Sequence, residues 1–428
     1  MEINIRKELG QIYRQGRTIG IVIGLISTLT ACALSDIQQQ IEIAENAGSI
    51  RGSVNNQSHQ DGQVVVVSLR DEKGLVIVTN RSVAYANGEF NISVAPGNYY
   101  LGAFIDRNKD GIHEADEYGN FFGKPTAIVV NPGKTVNLEV ITITNEPPLL
   151  PDNIIVKEDL LPAVKDIGRV VSLDDPIFDD ANYPMGLWKP VNFLNQVGGG
   201  LFFLQEYSKH KIPVLFIHGI NGGPHNFTHL IDSIDKEHYQ PWVIYYPSGL
   251  RLDMVSDYLV KAITELQNRY EFKHLYLVAH SMGGLVMRSF VKKYSQAFPQ
   301  LFDSIDFAMT INSPMNGMAS AEWGVEMGYL VVPSWRDVAT NSAFIQDLFT
   351  WRWPHNIPYY VIFSYQTGKS EDGVVTLQSQ IPLQLQQEAS KIYGFNNSHS
   401  GVLADPQFLG EFNAILRRNL NVVQLDSH

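Results

Sequence analysis

The stretch His274-Leu275-Tyr276-Leu277-Val278-Ala279-His280-Ser281-Met282-Gly283-Gly284-Leu285 runs an apolar strand into a serine and then into a segment that opens on two glycines. This pattern is that of a nucleophile elbow. The sharp strand-to-helix turn forces its central residue out of the backbone curve, so the Ser281 hydroxyl is expected to stand clear above a sheet, with the free N–H groups of the next helix pointing the same way. The general pattern places a glycine two residues before the serine, where this chain has Ala279. A methyl there is small enough for the turn to survive. Serine is also a preferred helix N-cap, so the elbow needs partners: a base, an acid and an oxyanion-binding loop in the right order.

The surroundings have the period of an α/β sheet. Residues 169–173 and 200–204 read as opening strands, and 213–217 and 240–246 as continuous apolar runs, the mark of strands buried on both faces. Between 253 and 270, Val255, Leu259, Ile263 and Leu266 recur on one helix face. The run 213–217 leads into His218-Gly219-Ile220-Asn221-Gly222-Gly223, a loop flexible enough to aim backbone N–H groups at the strand edge where such sheets bind ligands. Among the acids after Ser281, only Glu371 and Asp372 come off a late strand, 359–365, and directly precede Val374-Val375. Beyond them the histidines are His399 and His428, and His428 ends the chain. His399 is the base by elimination. His218 precedes the serine on a strand end and is read as shaping its loop.

Together, Val214 to Gly223, Ala279-His280-Ser281-Met282-Gly283-Gly284, Glu371-Asp372-Gly373-Val374-Val375 and His399-Ser400-Gly401-Val402-Leu403 resemble the α/β-hydrolase lipases. The likeness is greatest to the small Bacillus-type lipases, which share the Ala-x-Ser-x-Gly variant, and to the GPI-inositol-deacylase-like group. It spans 165–428. It implies a mostly parallel sheet with helices on both faces, Ser281 as nucleophile and His399 as base. Asp372 is preferred to Glu371, because Asp-Gly-Val-Val resembles the acid loop of bacterial lipases. In this fold the oxyanion hole uses the residue after the nucleophile and one from the first loop, which assigns the N–H groups of Met282 and Ile220. No catalytic cofactor is needed, and the expected substrate is a carboxylic ester of a lipid or acyl group. A thioesterase or an acyltransferase would carry the same triad, and a non-catalytic surface lipoprotein that binds a partner is the alternative of a different class. Residues 312–358, rich in Met, Trp and Phe, read either as a cap admitting acyl chains or as core helices.

Ahead of this lie other signals. Arg6, Lys7, Arg14 and Arg17 precede a short apolar run, 19–30, that ends in Leu29-Thr30-Ala31-Cys32. This resembles a secretory leader closed by a bacterial lipobox, which implies cleavage after residue 31, lipidation of Cys32, the chain's one cysteine, and attachment to the cell envelope. Ala33 in place of aspartate favours the outer membrane by the sorting rule. Residues 32–46 are then a tether. From 47 to 145 short alternating strands with turns at Asn87-Gly88, Pro96-Gly97 and Pro132-Gly133 read as a small β-sandwich, and 88–106 resembles the prealbumin-like and carboxypeptidase-regulatory-like modules. Within it, Asp106, Asn108, Asp110, Ile112 (through its carbonyl), Glu114 and Glu117 fill the ligand positions of a twelve-residue calcium loop, with Gly111 at the sixth place. Strands flank it, so a structural calcium ion is expected, with an acidic turn as the plain alternative. Three prolines in Glu146-Pro147-Pro148-Leu149-Leu150-Pro151 open a linker over 146–164. Net charge is −12, with no dense Lys/Arg cluster after residue 17, which argues against a nucleic-acid partner.

Overall fold

The computed structural model describes residues 31–72, 75–84, 87–108, 112–114, 116–122, 126–145, 154–156 and 166–426. Residues 1–30 of the expected leader, Asp110 and Gly111 of the acidic loop, and most of the linker lie outside the described residues, as does the Cys32 side chain.

The span read as a tether is one helix, α1 (Ala31–Asn46). Ile37, Ile41 and Ala44 recur at helical spacing and are buried. An all-β region follows: β1 (Gly48–Asn56), β2 (Gln63–Glu72), β3 (Leu75–Val83), β4 (Glu89–Val94), β5 (Gly97–Asp106), β6 (Gly119–Phe122), β7 (Ile128–Val130), β8 (Thr135–Asn137) and β9 (Ile141–Ile143). One sheet has the order β4-β1-β8, with β9 also on β1; the other runs β3-β2-β5-β6, with β7 on β5. Alternate residues of both sheets, among them Ile50, Ile92, Leu101, Ile105 and Ile141, share one buried cluster, so the sheets face each other as a sandwich. The single strand expected over 135–143 is broken. Arg51 pairs with Asn137 while Val54 pairs with Ile141, a one-residue slip that divides it in two. The linker is more than a spacer, because β10 (Ile154–Val156) adds to β3 in parallel.

The second half holds β11 (Asp166–Val170), α2 (Tyr183–Trp188), α3 (Pro190–Gln196), β12 (Gly200–Phe203), β13 (Ile212–Ile217), α4 (Thr228–Ser233), β14 (Tyr239–Tyr245), α5 (Leu252–Tyr270), β15 (Leu275–His280) and α6 (Gly283–Ala297). It continues with β16 (Ile305–Ile311), α7 (Ala319–Met327), α8 (Pro333–Val338), α9 (Ala343–Leu348), β17 (Tyr359–Tyr365), β18 (Lys391–Asn396) and α10 (Pro406–Asp426). The sheet order is β11-β12-β14-β13-β15-β16-β17-β18. From β14 to β18 all neighbours are parallel, and β12 meets β14 antiparallel. The apolar runs have a direct cause. Leu215 and Ile217 of β13 enter a core with α5 and α6, while Val214 and Phe216 enter a second core on the opposite face with α4 and α10. Every position of such a strand is buried, each large side chain contributing about 1.5–3 kcal/mol.

Residues 312–358 divide. Met315, Val338, Ile345, Leu348 and Trp353 are core, whereas Trp323, Met327 and Tyr329 stand exposed. Arg288 of α6 fastens this region: wholly buried, it donates to Glu388 Oε2 at 2.7 Å and to the Trp351 carbonyl at 3.1 Å, beneath the Phe349 ring.

Candidate active site

β15 lies in the middle of the large sheet, and its ladder extends one residue further through the Ser281 N–H, which donates to the Ile311 carbonyl at 2.8 Å. The chain then reverses. Ser281 has φ +55°, a left-handed conformation that a non-glycine side chain adopts at a cost of about 1–3 kcal/mol. It is not a helix cap: Met282 holds that position, and Ser281 Oγ instead lies 2.9 Å from His399 Nε2. Two glycines make the turn feasible. A Cβ on Gly283 would sit 2.3 Å from the Ile217 carbonyl oxygen, and one on Gly219 would sit 2.7 Å from Ser281 Cβ. Ala279, in place of the motif's first glycine, packs its methyl wholly inside the core.

The imidazole of His399 completes a line of three. Its Nδ1 is 2.7 Å from Asp372 Oδ2, and Asp372 is fully buried. The other carboxylate oxygen accepts from the N–H groups of Val374 and Val375 at 2.9 and 2.7 Å. An acceptor-only carboxylate calls for Nδ1–H, which leaves Nε2 to accept from the serine hydroxyl. Glu371 does not take part; its backbone bridges to Thr376. The His399 N–H also donates to the Asp372 carbonyl at 3.0 Å, so acid and base loops are joined twice.

Two residues here have no signal in the spacing of the sequence. The His399 carbonyl accepts from His280 Nε2 at 3.0 Å and from Asn312 Nδ2 at 2.8 Å. His280 is the last residue of β15 and Asn312 follows β16 with φ +50°, so the two strand ends flanking the elbow clamp the loop carrying the base.

His218 is occupied elsewhere. Its Nδ1 donates to the Gly219 carbonyl at 2.8 Å, its Nε2 accepts from the Tyr246 N–H at 3.3 Å, and its ring stacks on Tyr246. The loop beyond is held by Asn221 N–H to Ser248 Oγ and Gly223 N–H to Asn226 Oδ1. Among the described residues the Ile220 and Met282 N–H groups meet no protein acceptor, and Ile220 directly follows the Gly219 contact with Ser281.

Burial holds the pKa of His218 down to about 4. His280 is pushed down to about 3, by burial first and then by the neighbouring His399. Both are therefore neutral donors at pH 7. In the unfolded chain each titrates near 6.5, so unfolding in acid takes up protons. Their contribution is complete above pH 6.5 and lost as pH falls toward 4 and then 3. Urea midpoints should fall steeply from pH 6.5 to 4, less so in His280→Gln; a midpoint flat across this range would contradict the assignment.

In the acidic loop between β5 and β6, Asp106 and Glu117 are buried while Ile112 is exposed. The Glu117 carboxylate accepts from the N–H groups of Arg107 at 2.7 Å and Glu114 at 3.0 Å. Among the described residues no three His, Cys, Asp or Glu side chains are grouped to hold a metal.

A family model described as an α/β hydrolase of unknown function (DUF915) matches residues 250–400, a span containing Ser281, Asp372 and His399. No curated protein matches the chain in sequence at a significant level. Similar solved structures include a Listeria innocua protein, the lin2722 gene product, at 17% identity over 47% of this chain and 92% of that one, TM-score 0.37. The Bacillus licheniformis lipase BlEst2 in mature form is similar at 14% identity over 50% and 97%, TM-score 0.40. The phospholipase PlaB of Legionella pneumophila is similar at 16% identity over 40% and 44%, TM-score 0.34. With its mostly parallel sheet, helices on both faces and the family match around the elbow, the chain has the α/β-hydrolase fold, preceded by an all-β region.

Proposed function

We propose that this protein is a serine hydrolase of carboxylic esters, acting on lipid or acyl esters from the cell envelope. The observation that carries the reading is the unbroken hydrogen-bond line from buried Asp372 through His399 to Ser281 Oγ, at 2.7 and 2.9 Å. As Ser281 Oγ attacks the ester carbonyl, His399 Nε2 takes its proton, while Asp372 holds the tautomer and stabilises the imidazolium. The N–H groups of Ile220 and Met282 receive the oxyanion, each worth on the order of 3–4 kcal/mol in the transition state. Collapse expels the alcohol with the proton from His399. Water, deprotonated by the same nitrogen, then attacks the acyl-enzyme and releases the acid. The residues do all of this without a cofactor. The test is hydrolysis of p-nitrophenyl esters of graded acyl length: turnover that rises with chain length supports a lipid or acyl substrate, and no turnover of any ester sinks the reading.

Cys32 is proposed as the lipidated residue, anchoring the protein in the outer membrane; a stable anchor needs more than one acyl chain. The loop from Asp106 to Glu117 is proposed to hold a structural calcium ion. The donors suit a hard cation, and each Glu117 oxygen retains a lone pair beyond the N–H it accepts. Bound only by the folded state, calcium would stabilise the β region, so chelator should lower Tm at fixed pH and added calcium should restore it. An unchanged Tm would remove the ion.

A further inference from the structure

Within 312–358 the exposed large apolar side chains fall together on one short segment. Trp323 and Met327, one helical turn apart on α7, are 56% and 69% exposed, and Tyr329 just beyond is 85% exposed. Residues 319–332 carry Glu322 and Glu326 and no Lys or Arg. Trp and Tyr favour the boundary between water and lipid, and large apolar side chains grouped on one exposed face mark an interaction site.

Position then says what covers this face. α7 follows the carboxyl end of β16, next to the strand whose carboxyl end carries Ser281, so it belongs to the catalytic edge of the sheet. It rests on α8 through Gly324, where an added Cβ would come 3.0 Å from the Trp335 ring. Trp335 packs edge-on against Trp188 of α2, and α8 donates from the Ser334 N–H to the Gly249 carbonyl, beside the Ser248 that holds Asn221 of the oxyanion loop. α1 is fixed to the same block. Asp36 pairs with Lys189, directly after Trp188; Gln40 exchanges two hydrogen bonds with Asn192 of α3, each 2.9 Å; and Glu45 pairs with Arg336 of α8. Cys32 lies one helical turn before Asp36 on that docked helix. The segment that would carry the acyl chains is thus held against the elements supporting both α7 and the active-site loop, rather than swinging on a free tether.

We propose that the face formed by Trp323, Met327 and Tyr329 lies on the surface of the bilayer holding the Cys32 acyl chains, turning the catalytic edge toward esters presented by that bilayer. This rests on the reading of Cys32 as the lipidated residue and narrows the substrate to one in a membrane. With Glu322 and Glu326 in its own segment, and Arg336 of the supporting α8 already paired with Glu45, the face takes a zwitterionic surface through apolar insertion, not an anionic one through charge.

The full chain is reconstituted in phosphatidylcholine vesicles whose acyl chains carry bromine, a contact quencher of tryptophan. The expected result is partial quenching, most of which disappears in Trp323→Phe. Quenching unaffected by Trp323→Phe, or absent in a chain that floats with the vesicles, overturns the proposal. The mass of the mature N-terminal peptide reads acylation separately: an unmodified Cys32 overturns the anchor reading alone, and quenching of Trp323 in that chain still decides the face. In a second arm, Trp323→Glu/Met327→Glu should slow cleavage of a long-chain ester embedded in vesicles about tenfold and leave a soluble short ester within about twofold. Equal losses on both esters, or lipid-free dimers dissolved by Trp323→Glu, overturn it in favour of a structural role or a second copy.

Discussion

Ser281→Ala is expected to lower kcat on a p-nitrophenyl ester by at least about 10⁴-fold, with KM little changed. Removing the nucleophile of such a triad removes the covalent route altogether, and what survives is the catalysis that the oxyanion donors and binding provide alone. His399→Ala should cost about as much, because the three side chains act as a unit and their losses do not add. Folding is not expected to suffer. Among the described residues the serine hydroxyl bonds only His399, and alanine relieves none of the backbone geometry that Gly219 and Gly283 allow. Equal rates for Ser281→Ala and the native chain would remove the elbow from the chemistry; unchanged circular dichroism and Tm would show that a lost rate is not a lost fold.

The largest stability effect is expected at Arg288→Met. The guanidinium is 0% exposed and its partner Glu388 6%, so truncation takes away the close counter-ion of a buried carboxylate and leaves it the exposed Arg352 at 3.9 Å and the Gln384 amide at 3.2 Å. Breaking such a pair from one side costs about 3–5 kcal/mol. The Trp351 carbonyl also loses its donor, and the rings of Phe349 and Trp351 lose the cation above them. The double variant Arg288→Met/Glu388→Leu should recover much of the loss, since a pair of apolar side chains leaves no charge stranded. Urea unfolding followed by fluorescence measures both. A double variant as unstable as the single one would mean that the cost lies in packing around Arg288 rather than in the charge.

How much could be read from the sequence depended on where each residue's partners lie. β13 and β15 were legible because both of their faces are buried, which leaves an unbroken apolar run in the chain. β18 gave no such run: it is an edge strand, exposed at Lys391, Ile392, Gly394 and Asn396, and so it went unread although it delivers the loop to His399. β6 and β7, of four and three residues, are too short to show a period.

The order of Ser281, Asp372 and His399 was legible because chain order follows from the fold. Spacing alone left Glu371 beside Asp372, and only the buried carboxylate at Asp372 meets the imidazole. The clamp of His280 and Asn312 on the His399 carbonyl was not legible, since it pairs side chains with a backbone group 119 and 87 residues away. The docking of α1 was hidden for the same reason. Its Ile37, Ile41 and Ala44 stripe is present in the sequence, but Gln40 finds Asn192 only through the fold, at a separation of 152 residues.

The central claim is that Ser281 forms a covalent intermediate. A fluorophosphonate, which captures a serine only when a base has activated it, tests this without knowledge of the natural ester. Intact mass should rise by one adduct, peptide mapping should locate it on Ser281, and both Ser281→Ala and His399→Ala should abolish it. A native chain left unmodified, or an adduct on another residue, would contradict the account.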